Sequence, residues 1–271
     1  MNIKKHIPNA LTCSNLLCGC MAIVQAMNGN LVLAAYLVGL AAIFDFFDGF
    51  AARLLKVSSP IGKDLDSLAD MVTFGVVPGI MMFQMLINAT HIDRPAANGW
   101  TVYPPAYVSY LPYIAFIIPV FSAIRLAKFN NDPRQSDSFI GVPTPANAML
   151  IAGLALIHPH GFQGGKWTIY PPLSAEPTPD IPWMEMFLFS SPVLIAITII
   201  FAFLLVSELP LIALKFKHFK WKGNEIRFIF LILCILLLST LQLVGIPLCI
   251  VLYILVSVIN NLLVKKAQNT A

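Results

Sequence analysis

Acidic residues are few in this 271-residue chain and unevenly placed. Of its thirteen Asp and Glu residues, five, namely Asp45, Asp48, Asp64, Asp66 and Asp70, fall in one short stretch. On a helix that turns about 100° per residue, Asp45, Asp48 and Ala52 lie within about 60° of one another, and Asp66 and Asp70 share a face in the same way. Two adjacent antiparallel helices would then present two carboxylates each to one cleft. Four anions at close range repel unless positive charge offsets them, which hard divalent cations with oxygen ligands do. No His or Cys accompanies the acids, so Mg2+ or Mn2+ suits the set better than zinc. Cations held there can stabilise negative charge on a substrate and its leaving group, while a carboxylate can take the proton of an attacking hydroxyl.

The elements that must hold these acids are apolar. The chain is 58% hydrophobic and 11% charged, with a mean hydropathy of +0.79; a soluble domain carries about 25% charged residues. Charge-free runs of about 17 to 25 residues recur, each long enough to cross a hydrocarbon core of about 30 Å. The expected fold is all-α, a polytopic membrane bundle of about eight helices with a six-helix catalytic core. The spans are read at roughly 9–27, 31–55, 67–90, 106–130, 144–158, 184–207, 226–244 and 247–265. The last two share the charge-free stretch Phe228 to Val264, about 55 Å long as one helix, so Gly245-Ile246-Pro247 is read as the turn between them. The first apolar run continues through Cys18 and Cys20 with no small-residue cleavage site, so it is read as a span and not as a signal peptide. The five cysteines all lie in apolar runs and form no metal-ligand pattern.

With the segments alternating and the N-terminus inside, every Lys and Arg except Arg94 and Lys166 falls on the inner side. That asymmetry places both termini and the acids in or facing the cytoplasm. The outer loops at about 91–105 and 159–183, rich in Pro, Gly, Trp and Tyr, read as interfacial, and His158 and His160 go with them. From Lys215 to Lys222 basic residues alternate with Phe216, Phe219 and Trp221, which suits either an amphipathic segment on anionic headgroups or a topology signal. The expected organisation is a catalytic membrane domain at 1–206, a basic linker at 207–225 and a two-helix extension at 226–271.

Individual residues around the acids carry weaker signals. Gly49 and Ala52 admit a flat ligand, or serve as ordinary small-residue helix packing. Arg53 suits bidentate phosphate binding, or anchors topology. Arg125 and Lys128, three apart on the fourth span, and Lys63 offer cations to an anionic acceptor, with positive-inside charge as the competing reading. For the aspartates no comfortable structural role exists at this depth.

The full string runs Asp45-x-x-Asp48-Gly49-x-x-Ala52-Arg53, eight residues, then Gly62-x-x-x-Asp66-x-x-x-Asp70. It is similar to the signature of the CDP-alcohol phosphotransferase family, with every fixed position matched. Further stretches at Ile7–Leu16, Ser122–Asn130 and Phe139–Asn147 resemble the integral-membrane members that join CDP-diacylglycerol to L-serine. The resemblance spans about residues 7–158. It implies metal ligands at Asp45, Asp48, Asp66 and Asp70, with Asp70 also the general base. CDP-diacylglycerol would be held near Asn15, Gly49, Ala52, Arg53 and Gly62, and serine or its phosphate partner near Lys63, Arg125 and Lys128. Asn130 and Asn147 are further candidates. The implied partners are CDP-diacylglycerol, L-serine, membrane lipids and a second copy of the chain, with no nucleic acid. Glycerol 3-phosphate or inositol as acceptor stays open, as do a cation transporter and an aromatic-substrate prenyltransferase that use similar acids.

Overall fold

A computed structural model describes residues 6–57, 59–90, 106–132, 139–157, 187–212, 221 and 224–269. The predicted outer loops, His158 and His160, Arg134 and nearly all of the basic stretch 215–222 lie outside these residues.

Helices α1 (His6–Met27) and α2 (Leu31–Leu55) form a tight hairpin. Its turn needs Gly29, whose φ of 79° is open to a residue without Cβ, and Asn30, whose side chain caps α2 by accepting the Leu33 N–H at 3.0 Å. The buried stripe of α1 includes Gly19, Ala22 and Ala26, and that of α2 includes Ala34, Ala35 and Ala41. Small residues let backbones approach where lipid removes the hydrophobic drive between helices and van der Waals packing must supply it.

Helix α3 runs from Pro60 to Thr90. Its start is written in Ser59-Pro60: the Ser59 hydroxyl accepts the Gly62 N–H at 3.0 Å, and proline at the first helical position has no N–H to waste. The sequence reading began this helix at 67 and left Gly62 and Lys63 in a loop; the cap and the proline move both into the first helical turn. Between Met71 and Val76 the helix widens into a π segment before resuming. Phe74, Val77, Met81, Met82, Met85 and Leu86 of α3 are fully buried, so this helix forms the centre of the bundle.

A 3-10 segment (Ala106–Phe116) leads into α4 (Ile117–Asn131). Then follow β1 (Phe139–Ile140), α5 (Thr144–Ile157), α6 (Ser191–Val206), β2 (Pro210–Leu211), α7 (Glu225–Leu241) and α8 (Gly245–Asn269). The two short strands pair antiparallel.

Among the described residues five helical stretches are long and apolar enough to cross a membrane, and the molecule is an all-α polytopic membrane bundle. The fifth stretch, Glu225–Leu263, folds back on itself. At Gln242 the backbone takes φ 49° and ψ −119°, and the Phe230 and Tyr253 rings lie 5.6 Å apart across the resulting hairpin. The eight segments expected from sequence are thus present among the described residues, with α5 and α6 shorter than a full span. The last reversal sits at Gln242–Val244 rather than at Gly245-Ile246-Pro247. Pro247 instead occupies the first turn of α8, where a missing N–H breaks no intrahelical bond.

Candidate active site

The α2–α3 hairpin brings the acids together. Asp45, Asp48 and Asp66 each present a carboxylate oxygen, and the three oxygens lie within 4.8 Å of one another. Asp70 belongs to the same nest: its side chain contacts that of Asp45 and interacts electrostatically with Asp45, Asp66 and Asp48. Asp64 is exposed and stands outside it. Two full negative charges about 5 Å apart repel by about 3 kcal/mol at an effective dielectric constant near 20. Asp48 is only 6% exposed, which leaves water little access for screening that repulsion. A compensating cation is the natural complement. The donor set fits a hard divalent metal.

Helix α1 braces the nest from one side. Thr12 donates its hydroxyl to Asp48 Oδ2 at 2.7 Å, with the Pro8 carbonyl as an alternative acceptor at 3.1 Å. Asn15, fully buried, donates Nδ2 to Asp70 Oδ1 at 3.3 Å, and its backbone carbonyl accepts the Thr73 hydroxyl at 3.2 Å. Gly19 permits this approach, because a Cβ there would collide with Thr73. Asn15, expected on the donor side, is therefore found beside Asp70.

From Asp48 and Asp66 opens a cleft of about 260 Å³, lined also by Thr12, Gly49, Ala52, Ser59, Gly62 and Lys63. The competing reading of Gly49 as helix packing fails here. Among the described residues, a Cβ added to it would meet only Arg53 Nη2, at 4.0 Å, and no neighbouring helix touches that face. Gly62 is tighter: a Cβ would come within 3.0 Å of Ser59 Oγ and 3.1 Å of Asn9 Oδ1. Arg53 is exposed at the end of α2, its Nε donating to the Gly49 carbonyl at 3.0 Å. Lys63 reaches across to α4, donating Nζ to the Asn130 carbonyl at 3.3 Å, while Asn130 Nδ2 donates to Ser67 Oγ at 2.8 Å.

Arg125 and Lys128 do not act as a pair. The 60° between them takes Arg125 to 4% exposure, its guanidinium 5.3 Å from the Phe129 ring centroid, and leaves Lys128 exposed on the surface. Several buried polar groups on α4 and α5 lack hydrogen-bond partners. Arg125 Nε, Ser122 Oγ and both amide atoms of Asn147 are buried with no hydrogen bond. Ser122 is in van der Waals reach of Gly75, and both α4 and α5 pack on the π segment that follows Asp70. Ser122 and Thr12 were not singled out as site residues from sequence. Their signal is a partner or a void contributed by another helix.

A family profile described as CDP-alcohol phosphatidyltransferase matches residues 5–174. The chain belongs to that family. A protein of Helicobacter pylori strain J99 named CDP-diacylglycerol–serine O-phosphatidyltransferase is 35% identical over 153 residues, which are 55% of this chain and 57% of that protein. A Bacillus subtilis protein of the same name is 31% identical over 157 residues, 56% of this chain and 77% of its own length. An archaetidylserine synthase of Methanothermobacter thermautotrophicus is 27% identical over 164 residues, 58% of this chain and 62% of that protein. The chain thus spans little more than half of the Helicobacter relative. The matched region contains α1 to α5 and ends before α6, so α6, α7 and α8 lie beyond it.

Proposed function

We propose that this protein transfers the phosphatidyl group of CDP-diacylglycerol to the hydroxyl of L-serine, giving phosphatidylserine and CMP. The observation that carries this reading is the convergence of Asp45, Asp48 and Asp66 from two helices, with Asp48 and Asp66 lining a cleft that Gly49, Ala52 and Gly62 also line. Asp45, Asp48 and Asp66, with Asp70 adjoining, would hold the divalent metal, Mg2+ or Mn2+. When bound, it supplies charge neutralisation for the diphosphate and for the departing CMP. Gly49, Ala52 and Gly62 leave room for the cytidine diphosphate, and Arg53 at the rim offers its guanidinium to phosphate. Asn15 fixes the Asp70 carboxyl so that it accepts the serine hydroxyl proton. The serine oxygen then bonds to the phosphorus that bears diacylglycerol, the bond from that phosphorus to the bridging oxygen breaks, and CMP leaves with the electron pair.

Serine differs from a plain alcohol in its carboxylate and ammonium groups. The buried, unpartnered atoms of Arg125, Ser122 and Asn147 suit those groups, since an unsatisfied buried polar group costs about 1–3 kcal/mol and folded proteins seldom retain one without a use. Lys63, tied to Asn130, holds the ends of α3 and α4 in register beside them. By alternation of the spans, Arg53, Lys56, Lys63, Arg125, Lys128 and Arg227 fall at the same end of the bundle as the acids, which supports a site on the cytoplasmic side, and an inner membrane as its location goes with this reading. Division into a catalytic domain at 1–206, a linker at 207–225 and an extension at 226–271 goes with this reading, and a second copy of the chain as partner rests on the family resemblance.

The deciding assay measures CMP release by purified protein given CDP-diacylglycerol and, in turn, serine, glycerol 3-phosphate or inositol. Serine is expected to be the effective acceptor; release that is fastest with either of the others overturns the headgroup assignment. In the same assay Arg125→Gln is expected to raise the serine KM about tenfold or more, with the donor KM little changed. An unchanged serine KM removes Arg125 from the site.

Gly49→Ala separates stability from function. Alanine in a helix interior gains about 1 kcal/mol over glycine, so the thermal midpoint in detergent should rise. The added methyl group occupies the cleft, so the KM for CDP-diacylglycerol should rise as well. A variant with unaltered donor KM would show that nothing binds against this face.

A further inference from the structure

The α7–α8 hairpin lies beyond the matched family region, yet it grips the chain close to the site. Three side chains on one stripe of α8, spaced four apart, hold the backbone of residues 210–212. Asn261 Nδ2 donates to the Pro210 carbonyl, the Tyr253 hydroxyl donates to the Ile212 carbonyl at 2.9 Å, and Ser257 Oγ accepts the Ile212 N–H at 3.2 Å. Ser257 and Tyr253 are buried, so the centre of this grip is internal, while the Asn261 bond lies at its exposed end.

Strand β2, held in this way, pairs with β1, with Phe139 opposite Leu211 and Ile140 opposite Pro210. The pairing continues as Gly141 N–H to the Leu209 carbonyl at 2.8 Å, which leaves Pro210 at a position where no donor is required. Gly141 has φ +77°, and a Cβ there would lie 2.7 Å from the Leu205 carbonyl and 2.8 Å from that of Ser207, so only glycine fits. Val142 N–H donates to the Leu204 carbonyl at 3.0 Å. After Pro143 the chain enters α5, whose first turn carries Asn147, its backbone N–H bonded to the Pro143 carbonyl at 3.1 Å. Further along α5, a Cβ on Gly153 would fall 2.6 Å from Pro247 Cδ, so the start of α8 also packs directly on α5. Two paired residues are too few to make a stable strand pair unaided.

We infer that Tyr253, Ser257 and Asn261 are positioning residues for the acceptor side of the active site. They fix β2, and through β1 and Gly141 they set the N-terminal end of α5 and the place of Asn147. The inference rests on the reading above that Asn147 meets the acceptor. A hairpin that serves only as membrane anchor would leave the kinetics of folded enzyme unchanged.

The test uses full-length protein carrying Tyr253→Phe, Ser257→Ala and Asn261→Leu together, with CMP release measured against serine and against CDP-diacylglycerol separately. The serine KM is expected to rise about tenfold while the donor KM stays within about twofold. Asn261→Leu alone and Gly141→Ala, which disturbs the same link from its other end, should move the serine KM in the same direction; if the triple variant does not fold, these two decide. A lowered thermal midpoint with both KM values unchanged in the folded variants overturns the inference. Wild-type protein that releases no CMP in response to serine would instead overturn the functional reading itself, so the two failures are distinct.

Discussion

Asp70→Asn is expected to lower kcat for CMP release by about 10²–10⁴-fold, the range that a positioned general base contributes, with the donor KM little affected. The amide keeps the shape of the carboxyl and can still meet Asn15 and Asp45, so the bundle should fold. It cannot take the proton of the incoming hydroxyl. Asp64→Asn is the matched control, because Asp64 is exposed and apart from the nest, and its activity should stay close to wild type. Activity within about fivefold of wild type in Asp70→Asn would remove this residue from the proton-transfer step and leave the choice of base open among its three neighbours.

Chelation of divalent cations should abolish CMP release, and Mg2+ or Mn2+ should restore it. Among the described residues the two cations nearest in sequence to these acids are engaged elsewhere: Arg53 turns to the Gly49 carbonyl and Lys63 to the Asn130 carbonyl, away from the clustered oxygens of Asp45, Asp48 and Asp66. Thr12→Val refines the test. The Thr12 hydroxyl orients Asp48, and groups that orient a metal ligand typically account for 10–100-fold in affinity or activity. The variant should therefore need about 10–100-fold more metal for half-maximal rate while approaching wild-type kcat at saturation. Full turnover in excess chelator would end the metal reading, and a Thr12→Val titration that overlays the wild type would show that the hydroxyl does not orient the ligand.

How far the molecule could be read from its residues depends on the range of the interactions concerned. Helix positions followed from apolar run length, since the bilayer imposes a minimum on every spanning segment. The start of α3 was missed by one span's first turns because Ser59-Pro60, a strong local signal, lies in a stretch too polar to count as membrane. The turn at Gln242–Val244 was displaced by a few residues because Gly and Pro mark both turns and helix starts. The convergence of Asp45 and Asp48 with Asp66 could be anticipated, for the two helices are joined by a short connection and the helical period fixes their faces. The hydrogen bond from Thr12 to Asp48, the vacancy around Gly49 and the unpartnered amide of Asn147 could not, because each is defined by which helices meet across the bundle. Met71–Val76, with Thr73 and Gly75 among otherwise apolar residues, gives no compositional sign of its wider winding.

That wider winding makes α3 two rods in one. The inner rod carries Asp66 and Asp70 and is clocked to the nest; the outer rod, from Val77 onward, is clocked to its apolar neighbours. Winding these same six residues, Met71 to Val76, as ordinary α-helix would swing one rod against the other by about 100°, turning either the carboxylates away from their partners or Met81 and Met85 out of the interior. A chain one residue shorter here could wind the stretch as plain α-helix and keep both faces in place, so an alignment gap between Met71 and Val76 would mark a straightened α3 and not a lost site.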